Sequence, residues 1–220
     1  MSTKTRQNGA PSVPEADSSQ ALHISPIDRG IMRVPILGTS PLIIHRFSEK
    51  AKKQMLNAMQ GVKTPKVAKD PEAEYEASFY RFEDGGFGFP ITGFKAATVS
   101  AARFYDKSVT MKSLQQFLFF RGEVGLDGEQ LARIEGEARM REDVVRVGQG
   151  GTDLRYRPEI YPWSTMLEVT YVRSALTKES VLSLIDAGGL GVGVGDWRME
   201  RKGTMGGFTV DPDREVEELR

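Results

Sequence analysis

The alternation of apolar and polar residues along this chain predicts a series of short strands. An apolar run at 31–37 ends at Gly38 and is typical of a strand, and Pro35 favours an edge position or a bulge. The segment 166–172 alternates strongly and predicts a half-buried strand. Turn signals separate further strands, which are predicted at 77–82, 87–90, 114–120 and 207–210, together with a hairpin arm at 133–147.

Helical periodicity predicts three helices, at about 48–60, 93–105 and 177–188. In the first helix, Met55, Leu56 and Met59 are predicted on the inner side. In the third, Gly188 and Gly189 are predicted to end the helix. The second helix carries an apolar stripe at Phe94, Ala97, Ala101 and Phe104.

The order of these elements predicts an α+β fold with a ferredoxin-like (RRM-like) βαββαβ core, an antiparallel sheet and insertions. Residues 1–28 are rich in Ser, Pro, Gln and Ala and predict a disordered arm. A single domain is predicted over 29–210, with insertions at about 46–88 and 121–160. The acidic tail at 211–220 is expected to be flexible or to form a short helix.

Composition removes several function classes. The hydrophobic fraction is 39% and no apolar run approaches 18 residues, so we expect no membrane partner and no secretory signal. The absence of cysteine removes disulfides, thiolate catalysis and Cys-based zinc sites, and it fits a reducing compartment such as the cytoplasm. Of the two histidines, His23 lies in the predicted arm, and His45 lies beside Arg46, where a structural or phosphate-contacting role is expected. No metal-ligand spacing is present.

The formal net charge is zero, from 30 basic and 30 acidic residues, but the charges are unevenly distributed. The segment from His45 to Lys69 contains seven bases against one acid, Glu49. A nucleic-acid contact and a solvated helix face are both consistent with such a segment. Its bases are Arg46, Lys50, Lys52, Lys53, Lys63, Lys66 and Lys69.

A glycine-rich segment at 188–208 is the most informative stretch of the chain. Its glycines follow a predicted helix and precede a strand, which is the wrong order for a dinucleotide-binding fingerprint, so no cofactor is expected. Glycine lets a backbone approach a ligand closely and offers N–H groups to phosphate. Basic residues and a possible stacking ring lie within the segment: Trp197, Arg198, Arg201 and Lys202. The alternative is a helix cap followed by a turn that only packs.

Three separated patches resemble the RAMP superfamily, the repeat-associated RNA-binding proteins that form the backbone of CRISPR interference complexes. Phe89–Ala97 (FPITGFKAA) is similar to the entrance to that superfamily's first helix, and it contains Lys95. Gly188–Phe208 resembles that superfamily's glycine-rich loop. Gly38–Leu42, which follows the first predicted strand, resembles the start of such proteins. The resemblance implies a single-strand binder that polymerises side by side along RNA or DNA without catalysis.

The chain is also similar to proteins of tailed phages and prophages that carry segments like Lys69–Glu72 and Asp153–Pro158. This second resemblance implies a stand-alone phage-encoded protein in the host cytoplasm. A phage virion or assembly protein is one alternative. A RAMP-type ribonuclease is another, for which Asp143, Asp153 and Asp196 are conceivable catalytic residues.

Single-strand binders need a basic groove and aromatic rings for base stacking. Candidate rings are Tyr156, Tyr161, Trp163 and Trp197, although Tyr161 and Trp163 could equally close the core. Three arginines flank a predicted glycine loop that resembles a flexible finger: Arg146, Arg155 and Arg157. The full set of predicted nucleic-acid contacts is Arg46, Lys50, Lys52, Lys53, Lys63, Lys66, Lys69, Lys95, Arg146, Arg155, Arg157, Trp197, Arg198, Arg201 and Lys202.

Overall fold

The computed structural model describes residues 23–62, 68–106, 109–147 and 151–219. The strands are β1 (Arg29–Gly38), β2 (Leu42–Ile43), β3 (Tyr80–Arg81), β4 (Phe87–Pro90), β5 (Leu118–Arg121), β6 (Glu123–Val124), β7 (Gln130–Glu135), β8 (Ala138–Val147), β9 (Gly151–Ile160), β10 (Ser164–Val172), β11 (Phe208–Val210) and β12 (Glu217–Leu219). The α-helices are α1 (Glu49–Met59), α2 (Pro71–Ala77), α3 (Ile91–Ser100), α4 (Met111–Phe117) and α5 (Lys178–Gly191). Short 3₁₀ segments lie at Ala101–Phe104 and Met199–Arg201.

The predicted α+β class is confirmed, because helices pack on one face of a large antiparallel sheet. The main sheet has the order β11–β1–β10–β7–β4–β3, with β12 paired to β1, β5 to β10 and β6 to β7. A second, three-stranded sheet has the order β2–β9–β8. The sub-order β11–β1–β10–β5, with α3 between β1 and β5 in the chain and α5 between β10 and β11, is compatible with a βαββαβ core.

The core lies between one face of the main sheet and the helices α3 and α5. Alternation along β10 buries Leu167 and Val169, which oppose Val34 and Met32 of β1. These residues belong to one cluster with Phe94 of α3 and with apolar residues of α5. Burying each such side chain contributes about 1.5–3 kcal/mol, so this face stabilises the fold and fixes where α3 and α5 lie.

The predicted end of the third helix at Gly188 and Gly189 is wrong, because α5 continues to Gly191. The two glycines serve close packing instead. A Cβ on Gly188 would lie 2.8 Å from the backbone of Ala97 in α3, and a Cβ on Gly189 would collide with the backbone of Phe208 in β11. Glycine at these positions therefore allows α5 to pack directly against α3 and β11.

One predicted strand is shorter than expected, and another is largely helical. The residues predicted as a strand at 77–82 follow α2, and only β3 is extended; Asp70 caps α2 by accepting a backbone hydrogen bond from its first turn. Most of the predicted strand at 114–120 is α4, which Thr110 caps in the same way. In α4 the capping side chain satisfies free N–H groups of the first turn and favours a helix over local strand preference.

The first predicted helix is confirmed as α1, but its predicted inner side is wrong. Met55, Leu56 and Met59 are exposed, Met59 by 81%, because no described element covers this face of α1. Phe104 is also exposed, unlike the rest of its predicted stripe. It lies in a 3₁₀ segment, whose three residues per turn rotate it out of the α-helical stripe.

The ends of the chain differ from one another. Most of the predicted arm lies outside the described residues, and 23–28 are exposed and without regular secondary structure. In the acidic tail, 217–219 form β12 beside β1, and Lys178 Nζ donates to Glu218 at 2.9 Å. This part of the tail is therefore a strand. Within the described ranges, the helices are too short or too polar to span a bilayer.

Candidate functional site

The glycine-rich segment and helix α3 enclose a cleft of about 280 Å³. Strands β3 and β4 and His45, two residues after β2, complete its walls. The side chains and backbone that line it belong to His45, Tyr80, Phe89, Gly93, Ala96, Ala97, Ser100, Val192, Gly193, Val194, Gly195, Asp196, Arg198 and Glu200. Thus the segment that the sequence singled out forms one side of this cleft.

Two glycines shape this side of the cleft. Gly193 and Gly195 have φ values of +73° and +78°, in the left-handed region that glycine adopts without strain. A Cβ on Gly195 would lie 2.5 Å from the carbonyl oxygen of Ile43, and the backbone N–H of Asp196 donates to that same oxygen at 3.0 Å. The close approach of the two backbones places the Asp196 side chain beside His45.

A charged network extends from the cleft into the protein. His45 Nδ1 lies 3.1 Å from Asp196 Oδ2, and Arg157 Nη1 donates to the same oxygen at 2.5 Å. Arg157 is 1% exposed, and its Nη2 donates to Asp143 Oδ2 at 2.5 Å. Arg141 extends the network by donating to Asp143 at 2.9 Å. The network ties the base of the β8–β9 hairpin to the glycine-rich segment.

The network sets the charge state of Asp196. Burial alone raises the pKa of its carboxyl, but the hydrogen bond and charge of His45 and the guanidinium of Arg157 outweigh burial and lower the pKa below 3.8. Asp196 is therefore a carboxylate at neutral pH. It orients the His45 ring through Nδ1, and His45 Nε2 has no hydrogen-bond partner among the described residues.

An exposed ring and exposed cations lie beside the cleft. In the chain, Trp197 lies between the cleft residues Asp196 and Arg198. Its side chain is 47% exposed, and its backbone has a φ of +59°. Arg201 and Lys202 follow in the chain and are exposed, and their side chains have no partner in the described part of the chain. Arg198 lines the cleft and pairs with Glu200 at 3.0 Å. The predicted nucleic-acid contacts of the glycine-rich segment thus lie close to one another, beside the cleft.

The predicted basic residues of the first insertion are mostly engaged elsewhere. Arg46 is held by Asp127 at 2.7 Å, and Lys52 by Glu49 at 2.6 Å. Lys53 is exposed on α1. The side chain of Lys50, and all of Lys63 and Lys66, lie outside the described residues.

The β8–β9 hairpin carries a third group of the predicted nucleic-acid contacts. Arg146 is exposed on β8, and Arg155 on β9 lies 3.8 Å from Asp153. Lys69 Nζ also pairs with Asp153, at 2.6 Å. Lys95 lies apart from both groups and donates to the carbonyl of Gln115 at 3.3 Å. The predicted set is therefore divided among the cleft, the hairpin with its neighbour Lys69, and α1 with Arg46 before it, while Lys95 on α3 lies apart.

Among the predicted nucleic-acid contacts in the described structure, Arg157 is the most deeply buried. It was expected to flank an exposed loop, but it is buried, and Asp143 and Asp196 occupy both ends of its guanidinium. A phosphate cannot reach it without displacing a carboxylate, so Arg157 holds the cleft wall in place and is not a contact. The roles of the exposed residues stay predictions.

Sequence reasoning considered His45 and Asp196 separately and did not pair them, because 151 residues separate them in the chain. It missed Tyr80, Ser100 and Glu200 as cleft residues altogether. No local motif marks these three. Within the described ranges there is no group of three metal-ligating side chains that could hold a metal ion.

No protein-family model matches the chain. No curated protein matches it either. Among solved structures, a chain of the type III-B Cmr-beta complex bound to cognate target RNA, determined by cryo-EM, is similar with a TM-score of 0.43 and 9% sequence identity. The match covers 87% of this chain and 61% of that chain, so this chain spans about three fifths of the length of its structural neighbour. A similarity at this level concerns the course of the backbone and not what is bound.

Proposed function

We propose that this chain binds single-stranded nucleic acid along the cleft formed by the glycine-rich segment and α3. The observation that carries the proposal is the joint presence, beside one pocket, of the exposed Trp197 ring and the unpaired cations Arg201 and Lys202. A ring on which a base can stack and cations that track the backbone are the two requirements of a single-strand binder.

Single strands are favoured over duplex because their bases are free to enter the site. The cleft of about 280 Å³ has room for one base. Bases of a duplex are also stacked and cannot reach Trp197. We therefore expect binding to unpaired RNA or DNA and weak binding to duplex of the same length.

The hairpin is proposed to lengthen the binding path. Arg146 at its exposed end has no partner in the described structure, so it can neutralise a phosphate without breaking an existing pair. Lys69 and Arg155 share Asp153, and Lys52 is paired with Glu49, so these residues contribute less. The exposed cations of the cleft and hairpin are expected to dominate affinity.

The resemblance noted in the sequence supports the remaining parts of the proposal. We infer a RAMP-like protein with a ferredoxin-like core, encoded by a phage, that acts in the host cytoplasm without a cofactor and without catalysis. We also infer side-by-side self-association along the strand. Either RNA or DNA could be the ligand, since discrimination depends on contacts to the 2′-hydroxyl.

The test is fluorescence anisotropy with labelled single-stranded RNA, single-stranded DNA and duplex of one length, at low and physiological salt. The double variant Arg201→Glu, Lys202→Glu should weaken single-strand binding roughly tenfold or more, because two attractive charges become repulsive. The matched control is Lys112→Glu, Arg121→Glu, which reverses two exposed charges outside the cleft. Equal losses for the two double variants, or no single-strand binding at low salt, would contradict the proposal.

A ribonuclease is the second candidate, and the pairing of His45 with Asp196 favours it. A histidine oriented by a carboxylate, with Nε2 free in a cleft, can remove a proton from a ribose 2′-hydroxyl. Incubation with end-labelled RNA, with and without a chelator, tests this candidate. Shortened RNA for the wild type but not for His45→Ala, with binding retained, would establish it, whereas intact RNA would exclude it.

A further inference from the structure

We propose that the cleft receives one unstacked base of the strand, and that this base is guanine. The inference rests on the proposed function, because it names the part of the strand that enters the site. Phosphates then lie outside the cleft, near Arg201 and Lys202. Three observations carry it: the balance of charge in the cleft, the shape of its walls, and the polar groups near Glu200.

The charges in and behind the cleft balance one another. Asp196 and Asp143 are held by Arg157, and Glu200 is held by Arg198 at 3.0 Å and by Arg103 at 3.7 Å. Arg141 pairs with Asp143 and also with Glu159. Four guanidinium groups therefore face four carboxylates, which leaves no excess positive charge for a phosphate. A phosphate in the cleft would also approach two carboxylates, so an uncharged group is the better occupant.

The walls suit a flat ring. Small residues of α3, Gly93, Ala96 and Ala97, leave space along one wall, and the rings of Tyr80 and Phe89 form another part of the lining. The volume of about 280 Å³ lies just below the usual range for small-molecule pockets, which fits one base with part of its sugar.

Arg198 and Glu200 supply donors and acceptors side by side. Arg198 donates through Nε and Nη2 to Glu200 Oε2 and through Nη1 to the carbonyl of Gly195. A guanidinium has five N–H groups and a carboxylate has about four acceptor positions, so both side chains keep unused capacity. They can bind a base without separating from each other.

Guanine matches this arrangement best. Its Watson–Crick edge places two neighbouring N–H groups, on N1 and N2, next to the acceptor O6. The two N–H groups can donate to the Glu200 carboxylate, and Arg198 can donate to O6. The other bases lack two adjacent ring and amino N–H donors on that edge, so they leave one carboxylate oxygen unpaired.

The experiment is a titration of the full chain with GMP, AMP, CMP and UMP by calorimetry, with Trp197 fluorescence as a second signal. We expect GMP to bind roughly tenfold more tightly than the other three, since one good bidentate contact gives discrimination of that order. Inorganic phosphate at the same concentration should not displace it. Equal affinity for the four nucleotides, or displacement of GMP by phosphate, would overturn the inference.

The variant Glu200→Gln replaces one acceptor oxygen with an amide donor and should abolish the preference for GMP. Glu137→Gln, an exposed acid in the β7–β8 turn, is the matched control and should leave it unchanged. Thermal melting of both variants confirms that they fold. A guanine-free strand separates the two proposals: salt-sensitive binding of that strand without any GMP preference overturns the guanine site alone, and failure to bind any strand overturns the proposed function as well.

Discussion

The two ends of the β8–β9 hairpin use the same residue types in opposite ways. At the base, Arg141 and Arg157 are paired with carboxylates, and Arg157 is buried. Toward the tip, Arg146 is exposed and without a partner in the described structure, and Arg155 makes one long pair. The difference shows that position along the hairpin decides whether an arginine supports the fold or is available to a ligand.

The base of the hairpin is costly to disturb. Removing charges from water is unfavourable, so a buried pair adds little net stability, but loss of one partner leaves an uncompensated charge. Arg157 already has one unsatisfied N–H, on Nε, which fits a residue kept for positioning. Four predictions test the contrast between base and tip.

The largest effect is expected for Arg157→Met, because Asp143 and Asp196 would lose their shared counterion. The free energy of unfolding should fall by about 3–5 kcal/mol, measured by urea denaturation. The matched variant at the tip, Arg146→Met, should stay within about 0.5 kcal/mol of the wild type. Similar losses of unfolding free energy for the two variants would contradict the difference between the base and the tip of the hairpin.

A smaller effect, which depends on pH, is expected for Asp196→Asn. The pKa of Asp196 is lowered in the folded state, because its contacts with His45 and Arg157 outweigh the opposing effect of burial. The carboxylate therefore stabilises the fold above the ordinary pKa of 3.8, and this contribution is lost as the pH falls through the lower folded value. The Tm of the wild type should drop more steeply than that of the variant below about pH 4. Parallel curves of Tm against pH for the wild type and the variant would show that the ionisation of Asp196 does not contribute to the pH dependence of stability.

At the tip, the expected effect is on binding and not on folding. Arg146→Gln should weaken binding to single strands of any sequence and reduce the slope of log K against log salt by about one, as for the loss of one phosphate contact. Anisotropy at four salt concentrations gives the slope. An unchanged slope would place Arg146 outside the binding path, and an altered Tm would make it a structural residue like Arg157.

The smallest effect is expected for Val144→Thr, a substitution on β8 that keeps the β-branched shape. Val144 is 66% exposed, so the added hydroxyl meets water and the free energy of unfolding should change by less than about 0.5 kcal/mol. A larger loss in urea denaturation would show that this part of the hairpin is covered in solution, for example by another copy of the chain.

Local pattern sufficed for strand β10, whose burial follows a simple period, and for the position of helix α1, although the apolar side of α1 is exposed. Strand β10 and helix α1 lie where the alternation and the cap predicted them. Prediction failed where a tertiary contact or a cap decided the outcome. Gly188 lies inside helix α5, where it allows the backbone of α3 to approach closely. Thr110 caps α4, which continues into a segment that is apolar enough for a strand.

The site was only partly predictable for the same reason. The glycine-rich segment stood out in the sequence because left-handed glycines are a local feature. The pairing of His45 with Asp196 depends on β2 and the glycine-rich segment meeting in space, and Arg155 and Arg157 differ only in what covers them. Basic residues can be found in a sequence, but the carboxylates that neutralise them are identified only by the fold.

Strand β12 has a consequence for how copies of this molecule can meet. It covers one end of the outer side of β1, and β11 covers the other, so the main sheet ends there in strands of three residues, one of them bearing Glu217 and Glu218. Short, acidic borders resist the backbone-to-backbone zipping that leads to fibrils and precipitates. Contacts between copies along this border would have to be made by side chains, which can be reversed and regulated more readily than a continuous sheet.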